Sequence, residues 1–375
     1  MGTNGARGDL KPLTSLRFFA ALLVFAYHAP LGRPFATDHA LGQAGVGFFF
    51  LLSGFILTYR YHDALTGAAA DIRAFYAARV SRIYPTYLAA MAIALVVTVA
   101  VGGRQWDVST PLTRIAAVIA HTIAVQAWFP SEQLYFGVNS PAWSISVEAF
   151  FYALFPLLIR SLSRSFAASS ASTILLAAVA TWATAAAAFS IPHPAEVWST
   201  YVFPPVRIVD FVVGMLLGLA FLRGYRLRGP ATIWEIGAIA CVAAGVVVLP
   251  AFPVPVALKY GLFLMPLWAM LIAIVASCAG AVSRAFSHPI LVRLGEISFA
   301  FYLVHLSALT AFEHLAGSTG VTASLAAFVC ALALSFASYH GVEKPMRRRI
   351  KKWLTPSAGN RYVGRHWNLE TRSSP

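Results

Sequence analysis

Charge is scarce in this chain. Asp, Glu, Lys and Arg make up 11% of its 375 residues, where a soluble domain carries roughly a quarter. Too few ionised groups remain to solvate a water-soluble fold of this length. Cysteine is scarcer: Cys241, Cys278 and Cys330 lie inside or at the edge of apolar stretches and supply neither a disulfide framework nor a metal-ligand spacing. No Ser/Gly linker or soluble-like stretch is long enough to mark off a second fold. No internal repeat points to a transporter built from inverted halves. The first apolar run is not expected to be an ordinary signal peptide, because it carries Arg17 and His28, lacks a clear small-residue cleavage site and leads on into further runs.

What the chain has in abundance is apolar sequence, 59% of all residues. It falls into runs at about 13–29, 46–59, 88–101, 147–159, 173–189, 206–222, 233–249, 258–279, 297–312 and 321–339. Runs near twenty residues cross roughly 30 Å of hydrocarbon as helices. The expected fold is therefore all-α, a polytopic membrane protein of about ten transmembrane helices.

The net charge of +14 would suggest nucleic acid in a soluble protein. Here it reads as retention of Lys and Arg on the cytoplasmic side of short loops. With the N-terminus inside, 23 of the 28 basic residues fall in cytoplasmic segments, and only Arg33, Arg104, Arg114, Arg207 and Lys259 fall outside. Both termini are then cytoplasmic, in the plasma or inner membrane. The apolar stretch 115–129 would invert every later loop if it crossed, so it is expected to be re-entrant or interfacial. Irregular backbone at such depth must be buried in protein or line a wet cavity.

Polar residues at apolar depth need partners or a function. Arg17 and His28 are eleven residues apart, about 20° from a whole number of turns and about 16 Å along the axis. They share a helix face, with Arg17 at the inner mouth and His28 at the outer one; snorkelling and an interfacial His are the plain alternative. The stretch 45–55 brackets Phe48, Phe49 and Phe50 with glycines and adds Ser53, a pattern that suits close helix packing. Arg79, Arg82 and Tyr84 form a basic, aromatic helix entry that serves as a charge anchor or as a seat for a phosphorylated ligand. Asn139, Trp143, Ser144 and Glu148 follow, with Glu148 just inside an apolar helix at the expected level of His28. Arg207 and Asp210 stand one turn apart and could pair. His305 lies in mid-membrane, where a bond to a neighbouring helix would account for it.

In order along almost the whole chain, these clusters resemble membrane acyltransferase family 3. The matching pieces are Arg17 and His28 with ten residues between them, Phe49-Phe50-x-x-Ser53-Gly54-Phe55, Arg79-x-x-Arg82-Ile83-Tyr84-Pro85, Trp143-Ser144-x-x-x-Glu148, and Tyr302-Leu303-x-His305. The resemblance implies an enzyme that moves an acyl group, acetyl or another short one, from acyl-CoA to a hydroxyl. The acceptor is usually sugar-containing: a surface polysaccharide, a glycolipid or a macrolide. The acyltransferase domain is expected over 1–356, with a short cytoplasmic tail at 357–375. Acyl-CoA is a cosubstrate; no permanently bound cofactor and no metal is expected, and the bilayer rather than nucleic acid is the other partner. Arg17, Arg79, Arg82 and Tyr84 are assigned to the donor, and His28 to proton abstraction with Glu148 orienting its ring. Ser53, Asn139, Trp143, Ser144, Arg207 and His305 are assigned to the acceptor or to support. Direct transfer and an acyl-enzyme on His or Ser53 both remain open, and a proton-coupled transporter or lipid-linked glycan flippase is the alternative class.

Overall fold

A computed structural model describes residues 8–29, 40–67, 70–101, 110–189, 197–227, 229–248, 262–277, 279–317 and 320–354. Arg33, Arg104, Lys259, Cys278 and the expected tail 357–375 lie outside the described residues. The described chain is helical, with no strand, as a backbone must be when no water is at hand to satisfy it. Helices occupy all ten expected runs: α1 Lys11–His28, α2 Ala40–Thr66, α3 Ile72–Val101, α4 Pro111–Thr122, α5 Trp143–Ser165, α6 Ala171–Phe189, α7 Ile208–Leu222, α8 Ala231–Val248, α9 Met265–Ala276, α10 Pro289–Ala316, α11 Val321–Ser338 and α12 Lys344–Leu354, with α4 and α12 additional to the ten. Among the described residues, seven helices are long and apolar enough to cross a membrane. The apolar helices α6 and α9 are shorter, and α1 carries Lys11 and Arg17.

Local sequence explains several boundaries. Prolines occupy the first turns of α1, α4 and α10, where the missing N–H costs nothing. Gly317 ends α10 at φ 62°, a left-handed conformation that glycine adopts without strain. Glycine also sets a very close helix pair. A Cβ on Gly54 would stand 2.1 Å from the Phe211 carbonyl, and one on Gly214 would stand 2.0 Å from the Leu51 carbonyl. The backbones of α2 and α7 touch there as only small residues allow.

The segment expected to be re-entrant is the feature that positions the site. Among the described residues its longest helix, α4, is shorter than the apolar stretch and two-faced. Leu112, Ile115 and Ile119 are exposed, while Ala117, Ala120 and His121 are buried. Beyond α4 the chain proceeds by single turns at Gln126–Trp128, Glu132–Tyr135 and Ser140–Ala142. Side chains cap its carbonyls: Tyr84 donates to Thr122, Tyr87 to His121, and Gln126 to Ala142 at 2.7 Å. Asn139 donates to the Leu303 carbonyl at 2.9 Å, and Tyr302 to the Pro141 carbonyl at 2.8 Å. Leu303 and Tyr302 lie halfway along α10. The segment therefore folds back into the bundle, and α5 begins at mid-bundle rather than at the outer rim.

Candidate active site

A cavity of about 880 Å³, its mouth included, lies between α1, α2, α3, α5 and α10. Arg17, Arg79, Arg82, Glu148 and Tyr152 give it a charged region; Ser53, Ser144 and Tyr302 add hydroxyls, and much of the remaining wall is apolar. On α2 the lining runs from Leu57 to Val46, eleven residues or about 16 Å of helix. Gly45 packs on the Ala20 carbonyl and Val24, so the Val46 end is level with that part of α1. His28 lies roughly one to two turns beyond it.

The charged groups hold one another in place. Arg79 donates to the Tyr61 hydroxyl at 2.6 Å, with its guanidinium 5.0 Å from the Tyr61 ring centroid. Arg82 donates to Glu343, which also accepts from Thr86 at 3.4 Å. Glu148 accepts from Tyr152 and lies in the field of Arg17, Arg79 and Arg82. Three guanidiniums thus gather around two carboxylates, an arrangement suited to a polyanion.

The histidines form a second group. His28 Nδ1 lies 2.9 Å from the Val24 carbonyl and 3.1 Å from His305 Nε2, while His305 Nδ1 lies 2.6 Å from the Tyr302 carbonyl. A carbonyl only accepts, so each Nδ1 carries a hydrogen. The single Nδ1–H of His28 is then shared between the Val24 carbonyl and His305 Nε2, both acceptors, and Nε2 is the basic nitrogen of a neutral His28.

This geometry corrects the expected pairing of His28 with Glu148. His28 is not among the residues lining the cavity; its ring is met by His305, and Glu148 sits with the arginines. The reason is the mid-bundle start of α5, which carries Glu148 inward to the level of Arg17. The Tyr84 hydroxyl fastens the re-entrant segment, and its ring is not among the residues lining the cavity. Asn139 anchors that segment too. Trp143 packs on Tyr201 with ring centroids 4.9 Å apart. Arg207 makes the expected pair with Asp210 at 3.3 Å, buried between Phe50 and Tyr201. Ser53 and Ser144 reach the cavity.

Three contributors went unassigned in the sequence. Tyr152 is four residues after Glu148 on one helix face, a spacing that could have revealed it. Glu343 is an acid beside the basic stretch 344–352, a lesser signal. Tyr302 was visible only as part of a motif.

The Acyltransferase domain family matches residues 12–340. The acyltransferase MdmB of Streptomyces mycarofaciens is 31% identical over 334 residues, covering 82% of this chain and 81% of that protein. The exopolysaccharide production protein ExoZ of Rhizobium meliloti is 29% identical over 320 residues, 84% of this chain and 92% of the relative. Nodulation protein 10 of Rhizobium leguminosarum bv. viciae is 25% identical over 311 residues, 78% and 80% respectively. No solved structure matches. A bundle of apolar helices around a charged cavity, matched by this family from α1 to the end of α11, means that the chain belongs to acyltransferase family 3 and is a multi-pass membrane O-acyltransferase.

Proposed function

We propose that the enzyme takes acyl-CoA from the cytoplasm, in the plasma or inner membrane with both termini inside, and transfers a short acyl group to a hydroxyl of a sugar-containing acceptor. The observation that carries this reading is the shape of the cavity. Three arginines stand in its charged region, its walls are otherwise largely apolar, and it ends roughly one to two turns below a histidine whose Nδ1 is held by a backbone carbonyl. Arg17, Arg79 and Arg82 would hold the CoA phosphates by charge-assisted hydrogen bonds, and the pantetheine arm would lead the thioester toward His28. ExoZ, named for exopolysaccharide production, points to the same acceptor class.

In the transfer, the acceptor oxygen attacks the thioester carbon as its proton passes to His28 Nε2. The C–O bond forms, the C–S bond breaks, and the proton passes on to the sulfur, leaving acylated acceptor and free CoA. His305, accepting the Nδ1–H of His28, orients the ring and steadies it while it is an imidazolium, the part first assigned to Glu148. Glu148 instead organises the arginines.

The test is the full chain in lipid nanodiscs with acetyl-CoA and a panel of monosaccharide glycosides, polysaccharides and macrolides. Thiol release should depend on a hydroxylic acceptor. Absence of release with every acceptor, together with movement of a solute or a lipid-linked glycan across the membrane, would return the chain to the transporter or flippase class.

A further inference from the structure

One turn of α5 away from Glu148, the cavity wall presents two hydroxyls competing for one acceptor. Tyr302 donates to the Pro141 carbonyl at 2.8 Å, Ser144 donates to the same oxygen at 3.0 Å, and the two hydroxyl oxygens are 3.0 Å apart. The Trp143 backbone N–H also turns toward that carbonyl. Two hydroxyl protons therefore serve an oxygen that one of them can satisfy. Either hydroxyl can turn away without orphaning a buried acceptor, the costly event in an apolar interior. Both residues line the cavity, so an oxygen arriving there is what a released hydroxyl would meet.

The position suits a reaction centre. Tyr302 and His305 are three residues apart on α10, about 4.5 Å of rise. The Tyr302 and His305 ring centroids are 6.0 Å apart, and those of His305 and His28 are 5.0 Å apart. One turn of α10 thus carries a hydroxyl donor facing the cavity and the partner of the basic histidine. Attack on a thioester needs both at once: a base on the acceptor proton, and a donor on the carbonyl oxygen as its electron pair moves onto it.

We propose that Tyr302, with Ser144 taking over the Pro141 carbonyl, donates a hydrogen bond to the thioester oxygen and stabilises the oxyanion that forms on attack. The proposal rests on acyl-CoA being the donor. When the tetrahedral centre collapses, the electron pair returns to the carbonyl, the C–S bond breaks, and Tyr302 is released to Pro141. Removing one such donor costs on the order of 10²–10³-fold in turnover, without weakening the hold of the arginines on the CoA phosphates.

The experiment needs no knowledge of the acceptor. Acetyl-CoA labelled with ¹³C at the thioester carbonyl is bound to the full chain in nanodiscs, and the carbonyl stretch is read by isotope-edited infrared difference. The wild type should lower the frequency relative to free acetyl-CoA. Tyr302→Phe should bind acetyl-CoA with unchanged affinity and lose the lowering, and Ser144→Ala, which keeps Tyr302 on Pro141, should lose most of it. Ser144→Ala carries the test should Tyr302→Phe fail to fold. A lowering that survives in either folded variant would overturn the proposal while leaving the donor assignment intact. Failure of the wild type to bind acetyl-CoA would overturn the donor assignment itself, and the proposal with it.

Discussion

An imidazole is a base only at the nitrogen its neighbours leave unprotonated. The Val24 carbonyl fixes that nitrogen in His28 as Nε2, and the Tyr302 carbonyl makes His305 an acceptor toward His28. His28→Ala should therefore lower turnover on the order of 10²–10⁴-fold while acetyl-CoA still binds. His305→Gln, whose amide oxygen can accept in place of the ring nitrogen, should retain more activity than His305→Phe. Glu148 stands apart from this pair, among the arginines. Its replacement by Gln should act mainly on acetyl-CoA binding, and its effect should multiply with that of His305→Gln, as independent sites do. A double variant no worse than its worse parent would mean that Glu148 and the histidines act as one unit after all. Helical arithmetic on one strand of sequence showed that Arg17 and His28 share a face. It could not show which of them Glu148 meets, because that depends on how residues 110–142 travel through the bundle.

That path is a property of elements. The apolar runs were legible because a helix that crosses hydrocarbon needs nearly twenty apolar residues and few others. The level at which α5 starts was not legible, since it is set by hydrogen bonds such as Asn139 to Leu303, between residues 164 apart in sequence, which no periodicity reveals. The union of α3 with the chain's basic end was hidden for the same reason. Arg82 on α3 pairs with Glu343, which closes the short Tyr339–Glu343 turn between α11 and α12. Glu343 is 1% exposed and Arg82 18%, and removing one member of a buried pair costs about 3–5 kcal/mol. Glu343→Gln should therefore lower the unfolding temperature clearly. Because a CoA phosphate can take up the charge of Arg82, acetyl-CoA should raise the variant's unfolding temperature more than it raises the wild type's. An unchanged unfolding temperature, or equal ligand shifts, would make Arg82 an anchor of the fold with no part in holding the donor.

At the scale of the whole molecule, basic residues are proposed to do two separate jobs. Arg17, Arg79 and Arg82 are drawn into the cavity, and Arg207 is buried against Asp210. Setting these four aside barely changes the bias that orients the chain, since 20 of the remaining 24 basic residues still fall in the segments read as cytoplasmic. Exposed arginines mark those segments: Arg164 at the end of α5, Arg226 after α7 and Arg348 on α12. The opposite side is marked by Leu112, 76% exposed near the start of α4. Single cysteines at these four positions, in a background without Cys241, Cys278 and Cys330, give a direct reading in intact cells. A membrane-impermeant maleimide should label position 112 from outside and should reach 164, 226 and 348 only after the membrane is opened. The proposed donor depends on this orientation, because CoA is cytoplasmic and the arginines would have to face it. Labelling of position 348 from outside would put the charged region of the cavity on the side that holds no CoA, and the proposed donor would fall with the topology.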